Sequence, residues 1–135
     1  MRHWIFISSI KRFRMCDWLK VSDCVDFVQR NKVQVGDIVY LYTTAPVKRI
    51  EYKMIVEKVD VPYEEMIDDS EYSLDTINKA QVDKSKRYVR LRLLSYVSTH
   101  NLHLDNLRIY GLSSSMQSPF KIEGELLNYI GVSFR

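Results

Sequence analysis

Glycine and proline are scarce in this sequence, with 4 glycines and 3 prolines among 135 residues. Disordered and collagen-like chains are rich in these residues, so the composition excludes both classes. Hydrophobic residues make up 46% of the chain and charged residues 27%, as in ordinary globular proteins. A chain of this length buries roughly two-thirds of its unfolded surface. We therefore expect residues 1–135 to form a single domain with its own core.

Long hydrophobic runs are absent as well. No apolar run approaches the length of about 20 residues that a membrane helix requires. The first residues, MRHWIFISSIKR, lack the longer apolar core and the small-residue cleavage site of a signal peptide. We therefore expect a soluble, cytoplasmic protein without a membrane partner. Of the two cysteines, Cys16 and Cys24, we expect both to be free and reduced, as is usual in that compartment.

Motifs that carry catalysis are also missing. The sequence has no glycine-rich phosphate loop, no nucleophile elbow and no HExxH motif. His100 and His103, with Asp105 close by, have a spacing that can place two metal ligands together. A zinc site needs three or four ligands, however, and no cysteine or second carboxylate cluster accompanies this pair. We therefore expect no enzymatic activity, no metal site and no cofactor.

The charges are distributed unevenly, although the formal net charge is only +3. Residues 61–83 hold seven acids against one base, Lys79, so this segment carries −6 and the remainder of the chain carries +9. We interpret residues 62–85 as an acidic insertion that lies over one side of the fold. A polyanionic partner would bind to the basic remainder of the chain. An acidic, solvated loop on a surface without a partner explains the same charges.

Hydrophobic patterning predicts more strands than helices. We predict strands over residues 3–10, 38–43, 50–61 and 86–97. The pair Gly36-Asp37 is a turn signal before the strand at residues 38–43. Residues 38–43 are apolar on both faces of the strand and therefore need cover on two sides. The adjacent apolar residues Ile55 and Val56 interrupt the alternation of the next strand and predict a β-bulge there. In the last of these strands Val89, Leu91 and Leu93 face one way and basic residues face the other.

Helices are predicted to be short. Residues 22–31 place apolar side chains at helical spacing after a possible N-cap, Ser22, and predict a helix. Residues 16–19 fit a loop or a helical turn, residues 102–112 a helical turn or an edge segment, and residues 123–130 a final amphipathic helix. Together these elements predict an α+β fold with a mostly antiparallel, strongly bent sheet.

Several segments resemble one known family. They are HWIFISS at residues 3–9, Trp18 in the following loop, VQVGDIVYLYTT at residues 33–44, and the returning strand EYKMIVEKVDV at residues 51–61. The central pattern of that family falls here on Val33, Val35, Gly36, Asp37, Val39 and Tyr42. The chain therefore resembles an EVE domain, a member of the PUA-like superfamily related to YTH domains. The resemblance implies an open, strongly bent β-barrel with short flanking helices.

The resemblance also implies a function. EVE and YTH domains hold a modified nucleobase, flipped out of its strand, in an aromatic-walled pocket. An extruded base loses its stacking on neighbouring bases, and the aromatic walls of the pocket replace that stacking. Fixed polar groups form hydrogen bonds with the polar edge of the base. By this resemblance we expect recognition of a modified base in DNA or RNA, with a nuclease or NTP-hydrolysing protein as a partner. Two alternatives remain open: a small PUA-like enzyme acting on a nucleoside or RNA, and a protein-interaction domain without nucleic acid.

Trp18 is the leading candidate for the base pocket, because a loop tryptophan that follows several cations would otherwise be exposed. The alternative is a core tryptophan that closes the end of the barrel. The other candidates are small, polar or aromatic residues at strand ends and in a serine-rich loop: Ser8, Ser9, Tyr42, Thr43, Met116, Gln117 and Pro119.

A second set of candidates is cationic. Lys11, Arg12 and Arg14 follow the first strand, while Arg90 and Arg92 lie on the basic face of the strand at residues 86–97. Contacts from such side chains to phosphates set affinity and salt dependence without reading sequence. The alternative is a charged surface that contacts only solvent.

Overall fold

The computed structural model describes residues 1–74, 84–113 and 115–135. Within these residues six strands form one sheet in the order β2-β5-β4-β3-β1-β6. The strands are β1 (His3–Ser8), β2 (Cys24–Val28), β3 (Ile38–Thr43), β4 (Arg49–Pro62), β5 (Arg87–Tyr96) and β6 (Phe120–Ile122). β1 pairs with β3 in parallel, and every other pairing is antiparallel. The predicted class, α+β with a mostly antiparallel sheet, is confirmed.

Three short α-helices accompany the sheet in the part of the chain that the structure describes. They are α1 (Met15–Trp18), α2 (Leu104–Ile109) and α3 (Gly124–Ser133). Single turns of 3-10 helix lie at Tyr63–Glu65, Ser70–Tyr72 and His100–Leu102. No helix in the described ranges is both long and apolar enough to cross a bilayer.

β3 is buried on both faces, as its sequence predicts. Val39 and Leu41 belong to the inner core of the curled sheet, together with residues of β1, β4 and β5. Ile38, Tyr40 and Tyr42 lie on the opposite face in a second cluster with apolar residues of α2 and α3. The side chains of both faces are thereby removed from water, which explains the nearly continuous apolar run of this strand.

The sheet curls until strands far apart in its order approach each other. β1 and β2 are separated by three strands, yet the rings of Phe6 and Phe27 lie 5.7 Å apart in an edge-to-face contact. Three register shifts in the pairing of β4 with β5, beginning at Lys53, Val56 and Lys58, accompany this bend. Such irregularities increase strand twist and bending. The result is an open half-barrel, and the bulge predicted near Val56 is confirmed.

The prediction of a helix over residues 22–31 is wrong. Residues Cys24–Val28 form β2, which pairs with β5 through Val25 to Leu91 and Phe27 to Val89. The Ser22 hydroxyl accepts a hydrogen bond from the amide of Cys24 and does not cap a helix. Pairing with an existing strand satisfies the backbone of this β-branched and aromatic segment, and tertiary context overrides the local periodicity.

The acidic segment lies over the loop that follows β1, within the part that the structure describes. The amide of Arg14 donates to the carbonyl of Tyr72 at 2.8 Å, and the amide of Leu74 donates to the carbonyl of Arg12 at 2.8 Å. Ile67 and Tyr72 pack against the inner core. The predicted insertion over residues 62–85 also includes the acids Asp75 and Asp83 and the base Lys79, which lie outside the described residues.

Candidate functional site

The gap that the half-barrel leaves between β1 and β2 is a cleft of about 660 Å³. It is bounded by β1 and the loop after it, by β2, by the acidic segment and by the loop before β6. The side chains that line it include Phe6, Ser8, Ser9, Arg12, Phe13, Phe27, Arg30, Met66, Asp69, Tyr88, Met116, Gln117 and Pro119. Its volume falls within the range of small-molecule pockets.

The inner wall of the cleft is aromatic. Phe6 and Phe27 meet edge-to-face at its base, and Phe13 and Tyr88 also line it. Phe6 and Phe27 lie there because β1 and β2 direct core residues toward each other without a strand between them to close the gap. A planar ligand in the cleft would therefore contact aromatic surface.

Polar groups lie around this aromatic wall. Ser8 is buried at the end of β1, and the side chain of Gln117 is exposed on the opposite loop. Asp69 is partly buried in the acidic segment. Burial, together with the nearby charges of Asp26 and Asp68, raises the pKa of the Asp69 carboxyl to about 6. Perturbed carboxyls in clefts are frequent at functional sites.

Two exposed arginines flank the cleft. Arg12 lies in the loop after β1 and Arg30 follows β2. Neither forms an ion pair with a residue of the described ranges, and exposed Lys11 is adjacent to Arg12. Two exposed cations beside an aromatic cleft can reach phosphates on either side of a bound base.

The other predicted phosphate contacts are engaged within the protein. Arg90 donates to both oxygens of Asp26, at 3.0 and 3.1 Å, and to the carbonyl of Glu65 at 2.8 Å. The prediction for Arg90 is therefore corrected: β5 is covered on this side by the acidic segment. Arg92 pairs with Glu57 at 3.5 Å. Arg14 pairs with Asp17 at 2.9 Å, and its guanidinium lies 5.5 Å from the ring centre of Tyr72.

Trp18 does not line the cleft, and its assignment to the base pocket is corrected. It is only 8% exposed and belongs to the inner core. Its indole N–H donates to the carbonyl of Cys24 at 2.7 Å, and its ring contacts Tyr72 edge-to-face. The alternative reading of a core tryptophan is the one that fits, because α1 turns the side chain inward and the acidic segment covers it.

Tyr42 is likewise placed away from the cleft. It is 3% exposed in the cluster beneath α2 and α3. Thr43 lines a smaller cavity of about 370 Å³, whereas its neighbour Thr44 lines the main cleft. The structure thus brings five predicted pocket residues together in the main cleft, namely Ser8, Ser9, Met116, Gln117 and Pro119.

The smaller cavity adjoins the cleft, because Ser8, Phe13 and Met15 line both. Burial, and then a hydrogen bond with Cys16, raise the pKa of the Tyr52 phenol above its usual range. The hydroxyl therefore remains protonated at physiological pH. Cys16 and Cys24 are both free thiols.

The His100 and His103 pair has a structural use. The two rings stack 5.0 Å apart, and Nδ1 of His103 accepts a hydrogen bond from the amide of Asp105 at the start of α2. Across the described ranges, no group of three or more histidine, cysteine or acidic side chains is arranged to hold a metal ion.

Sequence reasoning missed several residues of the cleft, chiefly Phe27, Arg30, Asp69 and Phe13. Phe27 and Arg30 were assigned to a helix, and Asp69 to an acidic loop. Reading residues 24–28 as alternating apolar and polar positions would have revealed the strand. No local pattern marked Asp69 as a cleft residue. It reaches the cleft because the acidic segment packs against the loop after β1 and against β2, which are both distant from it in sequence.

Comparison with known proteins agrees with this architecture. No protein-family model and no curated protein sequence matches the chain. Among solved structures, it is similar to an ASCH protein from Zymomonas mobilis, with a TM-score of 0.68 and 10% identity over 99% of this chain and 96% of that one. A hypothetical protein from Leishmania major gives a TM-score of 0.68 with 17% identity, covering 98% of this chain and 93% of that one.

A protein from Pseudomonas syringae gives a TM-score of 0.67 with 13% identity, covering 96% of this chain and 97% of that one. At these identities the likeness establishes the fold. The chain has a PUA-like fold of the kind found in ASCH domains. The expected PUA-like architecture is confirmed. Membership of the EVE family is a narrower assignment, which the likeness in fold does not show.

Proposed function

We propose that this protein binds a single-stranded nucleic acid and holds one extruded base in the cleft between β1 and β2. The observation that carries the proposal is the combination in one cleft of an aromatic wall, polar side chains and two flanking arginines. Stacking on such walls contributes about 1 to 3 kcal/mol per base. The arginines supply the phosphate contacts that a strand needs on both sides of the extruded nucleotide.

The narrower form of the proposal is an EVE-type reader of a modified base, acting without chemistry of its own. Met66 and Met116 support it, because their half-buried thioether side chains line the cleft and would contact an added methyl group. A methyl group changes affinity only modestly, by about tenfold or somewhat more in a close-fitting pocket. Recruitment of a nuclease or an NTP-hydrolysing partner belongs to this narrower form.

Filling the cleft tests the proposal. Ser9→Phe places a ring inside the cleft without removing any core side chain. We expect it to weaken binding of short single-stranded RNA and DNA by about tenfold or more, because the ring displaces the stacked base. Fluorescence anisotropy with plain and methylated oligonucleotides measures this loss. Ser98→Phe is the matched control, since Ser98 is exposed and lies outside the cleft. Equal affinities for the two variants would contradict the proposal.

One observation favours a second candidate, a small enzyme acting on a nucleoside or RNA. A carboxyl whose pKa is about 6, such as Asp69, has the value that suits a general acid or base near neutral pH. Incubation of the protein with oligonucleotides and modified nucleosides, followed by mass spectrometry of the products, separates the two. Product formation by the parent protein that is lost in Asp69→Asn would favour the enzyme over the binding module.

A further inference from the structure

Asp69 is a carboxyl in the cleft whose one donor within the described residues is its own backbone amide. Within residues 1–74, 84–113 and 115–135, no other residue forms an ion pair or a side-chain hydrogen bond with it. Its neighbour Asp26 is fully occupied, because it accepts from Arg90 and from the amide of Ile67 at 2.9 Å. A single amide donor leaves most of the acceptor capacity of this partly buried carboxylate unused, so a ligand that supplies further donors would be favoured at this point.

The charged and titratable groups around Asp69 come from five parts of the fold. They are Asp68 on its own segment, Asp26 on β2, Arg90 and Tyr88 on β5, and the exposed Arg12 and Arg30 beside the cleft. Burial, and then the charges of Asp26 and Asp68, oppose ionisation of the Asp69 carboxyl and outweigh the hydrogen bond from its own backbone amide. Hydrogen bonds from a ligand to the carboxylate would reverse that effect.

An ionised carboxylate has two acceptor oxygens and no donor. Its best planar partner is therefore an edge with two adjacent N–H donors. Among the standard bases only guanine has this edge, formed by its ring N1–H and its exocyclic amino group. Adenine, cytosine and uracil each place an acceptor beside the donor, and an acceptor would face one carboxylate oxygen.

We propose that Asp69 selects guanine as the base held in the cleft, through hydrogen bonds from the N1–H and the amino group to its two carboxylate oxygens. This inference rests on the proposed function. A cationic arginine side chain of a peptide offers a similar pair of donors, but Arg12 and Arg30 beside the cleft disfavour a basic partner and favour a polyanion. Any modification of the bound base would then lie away from N1 and the amino group.

The test uses U-rich heptamers that differ only in the central nucleotide: guanosine, inosine, adenosine or uridine. Inosine is guanosine without the amino group and therefore loses one of the two donors. We expect the unmodified protein at about pH 8 to bind the guanosine heptamer about tenfold more tightly than the inosine heptamer. Asp69→Asn replaces one acceptor by a donor, and we expect this preference to disappear.

The preference also depends on pH. It requires the ionised carboxylate, so it is fully present above the free-protein pKa of about 6 and is lost as the pH falls through and below that value. Asp69→Ser serves as a second variant if the asparagine variant misfolds, and the inosine comparison on the unmodified protein requires no variant at all. Asp105→Asn, at an exposed carboxylate outside the cleft, is the control and should keep the preference.

The outcomes separate this inference from the proposed function. If all heptamers bind equally well, or if Asp69→Asn keeps the guanosine preference, selection by Asp69 is overturned while nucleic-acid binding stands. If no heptamer binds to the protein and an arginine-rich peptide does, both are overturned. A guanosine preference that is lost in Asp69→Asn and falls at acid pH supports both.

Discussion

At the residue scale, Asp37 organises the start of the sheet. Its carboxylate accepts hydrogen bonds from the amide of Arg2 at 3.0 Å, the amide of Gln34 at 2.9 Å and the indole N–H of Trp4 at 3.1 Å. Burial alone would raise the pKa of this carboxyl, but the three hydrogen bonds outweigh it and lower the pKa below the usual value. Gly36, at a φ of +92°, provides the turn that places Asp37 there.

Asp37→Ala should lower the free energy of unfolding by about 3 kcal/mol, because it leaves buried donors without an acceptor. Urea denaturation measures this change. Asp105→Ala, at a carboxylate that is 84% exposed, should stay within about 0.5 kcal/mol of the parent. The contribution of Asp37 is present above the unfolded pKa of about 3.9 and is lost as the pH falls through the lower folded pKa. An unchanged denaturation midpoint for Asp37→Ala would contradict this role.

The sequence around Trp18 does not decide whether its side chain is exposed or buried. A tryptophan after three cations is compatible with an exposed binding surface and with a core position. The choice is made by Cys24 and Tyr72, which satisfy its N–H and cover its ring. The Gly36-Asp37 pair was more informative, because a turn before an apolar strand follows from local backbone conformation.

At the scale of elements, the Asp26 and Arg90 pair ties β2, β5 and the acidic segment together. The Asp26 side chain is fully buried and Arg90 is 20% exposed. The hydrogen bond with Asp26 raises the pKa of Arg90, so the pair remains charged. Its additional bonds to Glu65 and Ile67 hold the acidic segment against the sheet, and with it Asp69 at the cleft.

Removing either partner should be costly. Arg90→Ala should lower the free energy of unfolding by about 3 to 5 kcal/mol, because it leaves Asp26 buried and unpaired. Arg92→Ala is the matched control on the same strand: its pair with Glu57 is about half exposed on both sides, and the expected change is below about 1 kcal/mol. Thermal denaturation of both variants measures the difference. A stable Arg90→Ala protein with weakened oligonucleotide binding would instead restore Arg90 as a phosphate contact.

Element prediction succeeded where a pattern permits one interpretation. The two-sided apolar run of β3 and the alternation of β4 identify strands. Residues 24–28 were misassigned because Cys24, Val25, Phe27 and Val28 fit a helical stripe as well as a short strand. The partner that decides between them, β5, pairs with residues 60 to 68 positions earlier in the sequence.

At the scale of the whole molecule, the shape of the cleft and its charges follow from the incomplete closure of the barrel. β6 pairs with β1 only at His3, Trp4 and Ile5, so the later part of β1 faces β2 across the gap. The loops that carry Lys11, Arg12 and Arg30 lie at this opening, whereas Arg90 and Arg92 are paired within the fold.

Replacement of Lys11, Arg12 and Arg30 by alanine should weaken all oligonucleotides alike, without changing base preference. The slope of log affinity against log salt should fall by about 2, since each lost phosphate contact on a single strand contributes about 0.7. Titrations at several salt concentrations measure the slope. A control with Lys20 and Arg135 replaced, both exposed and outside the cleft, should keep the parental slope. If the two slopes agree, the cations of the cleft do not contact the strand.

The sequence by itself determined the fold class, the central two-sided strand and the turn that precedes it, because these depend on side-chain periodicity and local backbone preference. Only the tertiary structure decided which cations remain available, which aromatic rings line the cleft and where Asp69 lies. Those properties arise when β1, β2 and the acidic segment meet, and contacts between segments so far apart in the chain leave no local pattern to read.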